Sequence, residues 1–164
     1  VLSIGHRRIG MISSWTQTND RARARVLAVK HVMLEGGLNP DNLVLIETDY
    51  GIETGSKAFD TIISNSRLPS IVFCGNDVLA AGALKQAKVR GMKIPEDISI
   101  TGFDDIEISR ITTPRITTVH VSHRRMGTEA SKKIIRIIEK KAFWQSTQLE
   151  TSLKIRASLA KQID

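Results

Sequence analysis

Short β-branched runs that stop at a polar residue, each followed by a segment of helical period, constrain this chain more than any other feature. Residues 70–118 show the pattern twice. Ile71, Val72, Phe73 and Cys74 form an apolar run bounded by Pro69 and Gly75, as expected of a strand buried on both faces of a parallel sheet. Asp77 is placed to cap the next helix. Over 78–90, Leu79, Ala83, Leu84 and Ala87 share one face, and Gly91 supplies a left-handed stop. Ile98, Ile100 and Phe103 make a second strand, released at Asp104-Asp105. Ligands of open α/β sheets bind outside the carboxyl ends of the strands, so Asn76-Asp77 and Asp104-Asp105 mark a candidate small-molecule site.

The same alternation holds upstream. Residues 8–13 read as strand, and 20–35 as helix with Ala22, Val26, Val29 and Met33 in a stripe and Gly36-Gly37 as the stop. Residues 43–48 read as strand and 52–65 as helix, with Ile52, Phe59, Ile62 and Ile63 inward. This β-α-β-α-β-α-β order predicts an α/β fold, a doubly wound parallel sheet with right-handed crossovers. Beyond Pro114 the pattern changes. Residues 116–121 read as extended, a helix runs from Ser122 or His123 to about Lys141 with Met126, Ala130, Ile134, Ile137 and Ile138 on one side, and 149–156 form a last strand.

At 164 residues and 41% apolar, the chain can bury one sizeable core, one lobe and part of another. The lone Cys74 sits in an apolar strand, which fits a reducing, cytoplasmic setting, and no membrane-length apolar stretch or signal peptide is expected. Most of the net charge of +7 gathers between His120 and Lys141, where Arg124, Arg125, Lys132, Lys133, Arg136, Lys140 and Lys141 face only Glu129 and Glu139. That is a solvated helix face rather than a DNA-reading surface, since no groove-reading motif accompanies it, and aromatic residues at 4% are too few for a base-stacking platform. His120 and His123 have no carboxylate or cysteine near them in sequence, so a solvent or interface role is expected and no metal. With no phosphate-binding loop, GxGxxG, GxSxG or HExxH, neither a cofactor nor catalysis is expected.

The strand ends together carry a binding chemistry. The first leads through Ser13-Ser14-Trp15 to a helix bearing Arg21, Arg23 and Arg25; the others end at Asp49-Tyr50, Asn76-Asp77 and Asp104-Asp105. A guanidinium and a carboxylate grip vicinal hydroxyls or a heterocycle edge through paired hydrogen bonds, and a ring offers a flat apolar face. Arg25, Tyr50, Asn76 and Asp104 are the candidate ligand-binding residues, with Trp15, Arg23 and Asp77 as secondary candidates. Local roles stand beside these: Asp77 as a helix cap, Asn76 and Asp105 in turns, Tyr50 as a packed ring, Arg25 as a surface residue.

At these residues the chain resembles the effector-binding domain of the LacI/GalR transcriptional regulators. The resemblance is carried by GHRRIG at 5–10, RVLAV at 25–29, GGL at 36–38, NDVLAAGAL at 76–84, IPEDISITGFDD at 94–105, TPRITTV at 113–119 and LKIRAS at 153–158. It implies a periplasmic-binding-protein-like (type I) lobe over 1–118, a crossover segment and helix normally belonging to the other lobe over 119–148, and a returning strand and tail over 149–164. By the same resemblance Arg25, Tyr50, Asn76 and Asp104 would contact a carbohydrate or nucleobase-like effector. The protein would be a homodimer that meets operator DNA only through an N-terminal module outside this chain; the alternative is a fragment of a periplasmic sugar-binding transport protein. The family usually has glycine and an aromatic where this chain has Ala28 and Val29, and often a glutamine where it has Val121, which implies a less polar effector. The apolar stripe of the helix over 123–141, having lost its usual sheet, is expected to pack on a second chain or fold back on its own lobe, because each exposed large aliphatic forgoes roughly 1.5–3 kcal/mol.

Overall fold

Every apolar run read as a strand joins one sheet. In the computed structural model, which describes residues 1–140, 143 and 145–162, the sheet has six strands in the order β2-β1-β3-β4-β5-β6. They are β1 Ile9–Ser13, β2 Val44–Glu47, β3 Ile71–Cys74, β4 Ser99–Asp104, β5 Thr117–His120 and β6 Ser152–Lys154. The first five are parallel and β6 runs antiparallel to β5. Helices α1 Asp20–Glu35, α2 Ile52–Ile63 and α3 Asp77–Val89 fill the crossovers, α4 Ile108–Ile111 bridges β4 to β5, and α5 His123–Ile138 follows β5.

Right-handed crossovers in this order place α1 on one face and α2 with α3 on the other. The two cores agree with that division: Ile9 and Met11 of β1 pack with Val26 and Met33 of α1, whereas Ile12, Val72 and Ile100 pack with Phe59, Ile62, Leu79 and Leu84 of α2 and α3. β1 connects to its neighbour on one side and β3 to its neighbour on the other. The order therefore reverses between β1 and β3, whose carboxyl ends are the usual ligand position of such sheets.

Local signals define the helix ends. Asn19 caps α1, its side-chain oxygen accepting from the amides of Arg21 and Ala22 at 3.1 and 3.0 Å. Gly37 and Gly91 take the left-handed conformation after α1 and α3, with φ of 74° and 69°. α2 and α3 approach so closely that a Cβ on Gly82 would lie 2.1 Å from the Ile52 carbonyl oxygen. His6 closes the amino-terminal end of the sheet: Nε2 donates to the Ala160 carbonyl and Nδ1 accepts from the Ser70 hydroxyl, both at 2.9 Å.

Four expectations are corrected. The cap of α3 is Asn76, not Asp77, with Oδ1 accepting from Leu79 N at 2.9 Å. Ile52 opens α2 at the surface, 39% exposed, rather than inward. The last strand is confined to Ser152–Lys154. Of the two covers expected for the α5 stripe, a second chain or its own lobe, the lobe supplies none: no α5 residue is buried, and Ile134 and Ile138 are 57% and 74% exposed. The returning chain runs beside it, where Lys133 Nζ donates to the Gln145 carbonyl at 2.6 Å, and at its start His123 Nε2 approaches Asp104 at 3.8 Å. The helix, expected to run to about Lys141, ends at Ile138; Lys141 itself lies outside the described residues.

The α2–α3 contact gives a stability test. Gly82→Ala forces the helices apart and is expected to lower the unfolding free energy by about 1–3 kcal/mol, the range of core overpacking. Gly127→Ala on α5, where a Cβ meets nothing within 4 Å, should raise helix stability by about 0.5–1 kcal/mol. Urea denaturation of both variants reads the contrast.

Candidate functional site

The carboxyl edge of the parallel strands gathers the candidate residues, beginning with Arg25 in the second turn of α1. Burial of Ala22, Val26 and Met33 beneath that helix fixes the face on which Arg25 lies. Its guanidinium sits over the Phe103 ring, 4.2 Å from the centroid, a cation–π contact that carries it to the end of β4. Desolvation lowers the Arg25 pKa and the Asp104 carboxylate opposes that shift, so Arg25 and Asp104 feel each other directly.

Asp104 is the hub of the rim. Its side chain is 22% exposed, it makes no hydrogen bond among the described residues, and its nearest ionic neighbour is His123 Nε2 at 3.8 Å. Tyr50, after β2, is exposed; desolvation and then the Asp104 and Asp77 carboxylates push its phenol above the ordinary value. Asn76 is buried, with Oδ1 spent on the α3 cap and its amino group unengaged by the described residues.

The secondary candidates separate. Trp15 is half-exposed and its indole N–H donates to Asp49 at 2.7 Å, while the Thr16 amide donates to Glu47 at 2.7 Å; both bonds tie the β1–α1 loop to the end of β2 and keep the ring on the rim. Arg23 is a brace, its Nη1 donating to the Thr16 carbonyl at 3.1 Å. Asp77 leaves the rim altogether. It is fully buried, Oδ1 accepting from the Thr118 hydroxyl at 2.6 Å and Oδ2 from the Ile106 amide at 2.8 Å. Burial pushes its carboxyl up, against the pull of those two bonds.

Sequence reasoning missed four partners. Phe103 was read as strand core, and only its meeting with Arg25 gives it a place at the site. Asp105 was read as a turn residue, yet its carboxylate accepts from Arg156 Nη2 at 2.5 Å, Arg110 Nη2 at 3.0 Å and His120 Nδ1 at 3.0 Å. His120 and His123 therefore do not simply face solvent: they stand beside Asp105 and Asp104. The one available signal was the pairing of His120 with Asp104 across β4 and β5, which follows from strand register. Ala28 and Val29, the departures in α1, line a hollow of about 270 Å³ with Arg25, Thr101 and Phe103.

Chemically the rim offers a guanidinium, a free carboxylate, an amide and two aromatic rings. Cys74, the only thiol, is buried, and desolvation pushes its pKa far up, out of the nucleophilic range. Among the described residues no group of three or more His, Cys, Asp or Glu could hold a metal, and no helix is long and apolar enough to cross a membrane.

The Asp105 cluster makes a pH prediction. Desolvation alone would raise this carboxyl, but the bonds from Arg156, Arg110 and His120 outweigh it and hold it well below the usual range. Its contribution is complete above the unfolded value of about 4 and is lost progressively as pH falls below it. Asp105→Asn, which strands the largely buried Arg156, should cost about 3–5 kcal/mol at pH 7, and denaturation at stepwise lower pH should show the gap to the unaltered chain closing.

Comparison with known proteins places this geometry. Residues 1–159 match the periplasmic binding protein-like domain family. The HTH-type transcriptional repressor PurR of Salmonella newport (strain SL254) is 35% identical over 158 residues, 95% of this chain and 46% of that relative, so the chain spans about half the length of such relatives. A LacI family transcriptional regulator from Enterococcus faecium with bound ribose superposes with a TM-score of 0.90 at 26% identity, over 98% of this chain and 59% of that one. One from Silicibacter pomeroyi superposes with a TM-score of 0.84 at 32% identity, over 98% and 58%. The lac repressor dimer bound to operator and the anti-inducer ONPF, at 22% identity, shares the fold with a TM-score of 0.87 over 96% and 47%. With most of its length matched, the chain belongs to the periplasmic-binding-protein-like domain family, in the form found in LacI-type transcriptional regulators.

Proposed function

We propose that this chain is one wall of the effector cleft of a LacI-type regulator, and that its ligand is a small neutral metabolite with vicinal hydroxyls or a heterocycle edge, a sugar or nucleoside. The observation that carries the reading is an Asp104 carboxylate with no hydrogen-bond donor of its own among the described residues, at the end of β4 next to the Phe103 ring on which Arg25 rests, and close enough to act on both Arg25 and Tyr50. Arg25 donates to ligand oxygens and Asp104 accepts from ligand hydroxyls or N–H groups; the Asn76 amino group adds one donor. Tyr50 and Trp15 supply flat apolar surface. Val121 in place of an amide makes the wall less polar than that of a typical sugar-binding relative.

The relatives are repressors, which favours this reading over a secreted transport protein and over an enzyme. Contact with operator DNA belongs, in this proposal, to the half of those relatives that the chain does not span; the complete regulator is a cytoplasmic homodimer. Ligand preference for one closure or dimer geometry then shifts its equilibrium, which is how occupancy is transmitted.

Amide chemical-shift mapping of the chain with D-ribose, adenosine and guanine tests the proposal. Shifts should cluster at Tyr50, Asn76 and Asp104. Arg25→Met or Asp104→Asn should weaken the responding ligand roughly ten- to hundredfold, the value of one charge-assisted hydrogen bond. Shifts confined to other surfaces, or no response to any of the three, would remove the cleft reading.

A further inference from the structure

Beside the carboxylate that a ligand would meet lies one that no ligand can reach. Asp104 and Asp105 both have positive φ, 103° and 55°; aspartate enters the left-handed well near 55° more readily than most residues, but 103° lies outside it and needs a restraint from the surroundings. Nothing on the Asp104 side chain imposes it: that carboxylate has only the 3.8 Å approach of His123. The restraint is on Asp105. Its side chain is 2% exposed, and donors reach it from three elements: Arg110 and Ser109 of α4 at 3.0 and 3.3 Å, His120 of β5 at 3.0 Å, and Arg156, just beyond β6, at 2.5 Å. On the other flank the Ile106 amide is held by Asp77 at 2.8 Å. The chain is thus gripped at 105 and 106, and residue 104 must leave β4 in the conformation this grip allows.

We propose that Asp105 is a positioning residue: its bonds to Arg156, Arg110 and His120 hold the exit of β4 in the left-handed turn that keeps the Asp104 carboxylate clear of chain donors and beside Arg25 and Tyr50. The role of Asp104 rests on the effector reading above, but its placement is testable with no effector present. Arg156 belongs to the segment returning from α5. The effector's acceptor is therefore set from the segment that returns to the sheet after α5, and a shift of that segment would loosen the turn.

Tyr50 is the chain's single tyrosine, so an ultraviolet absorbance titration of tyrosinate reports one group. Asp104 is among the causes that raise its pKa, behind desolvation, whereas Asp105 is not among them. Asp104→Asn should move the Tyr50 midpoint down. Asp105→Asn should move it down comparably, and the double variant no further than Asp104→Asn alone, because the second change acts through the first. An unmoved midpoint in Asp105→Asn, or two shifts that add, would overturn positioning and leave a structural ion cluster.

Should Asp105→Asn fail to fold, as judged by circular dichroism, Arg110→Met decides. Loss of a cation by itself would raise the Tyr50 midpoint, whereas release of Asp104 from the turn lowers it. A fall supports the proposal; a rise or no change overturns it. If Asp104→Asn does not move Tyr50, it is the rim itself that is wrong, a separate and recognisable failure that takes the proposal with it.

Discussion

A carboxylate buried between helix and sheet governs the working edge of this lobe. Asp77, in the first turn of α3, accepts from Thr118 on β5 and from the Ile106 amide beyond β4, so one side chain joins a helix start to a strand and to the exit of its neighbour. A buried charge is tolerated only when its lone pairs are satisfied, and here both oxygens are. The fit needs glycine opposite: a Cβ on Gly102 would lie 2.2 Å from Asp77 Oδ1. With residue 106 held by Asp77 and residue 105 by its arginines, the chain between β4 and α4 has little freedom, and Asp104 is delivered to the rim as a consequence.

The remainder of the lobe is asymmetric in a way its topology requires. α2 and α3 pack on each other and on one face of the sheet, building the larger core around Phe59, Ile62, Leu79 and Ile100. α1 alone serves the other face, which is why Arg25 can reach across to Phe103 beside an open hollow. α5 stands apart, a helix of strong apolar period whose stripe contributes nothing to either core. Its basic side is solvated, consistent with a charge run that has no groove-reading context.

Much of the architecture was legible because its signals are local. The end of α1 and the limits of β3 follow directly from Gly36-Gly37, Pro69 and Gly75, residues that act on their own neighbours. The exchange of roles between Asn76 and Asp77 was not legible. Both residue types cap helices, and only the presence of Thr118, 41 residues away, and of Ile106 draws the aspartate inward and leaves the cap to asparagine. For the rim, Arg25, Tyr50, Asn76 and Asp104 could be placed at strand ends by counting elements, but Arg23 stands equally near in sequence and turns to the Thr16 carbonyl instead.

What the amino-acid order determined by itself is the alternation of strands and helices, the parallel sheet and the edge on which polar residues collect, because periodicity, caps and glycine stops are properties of a few consecutive residues. Tertiary structure decided which of those polar residues remain open to a ligand and which are consumed as structure. Asp105 meets Arg156 across 51 positions and Trp15 meets Asp49 across 34. Pairings of that range depend on sheet order and on the space left between packed elements, and no local pattern encodes them.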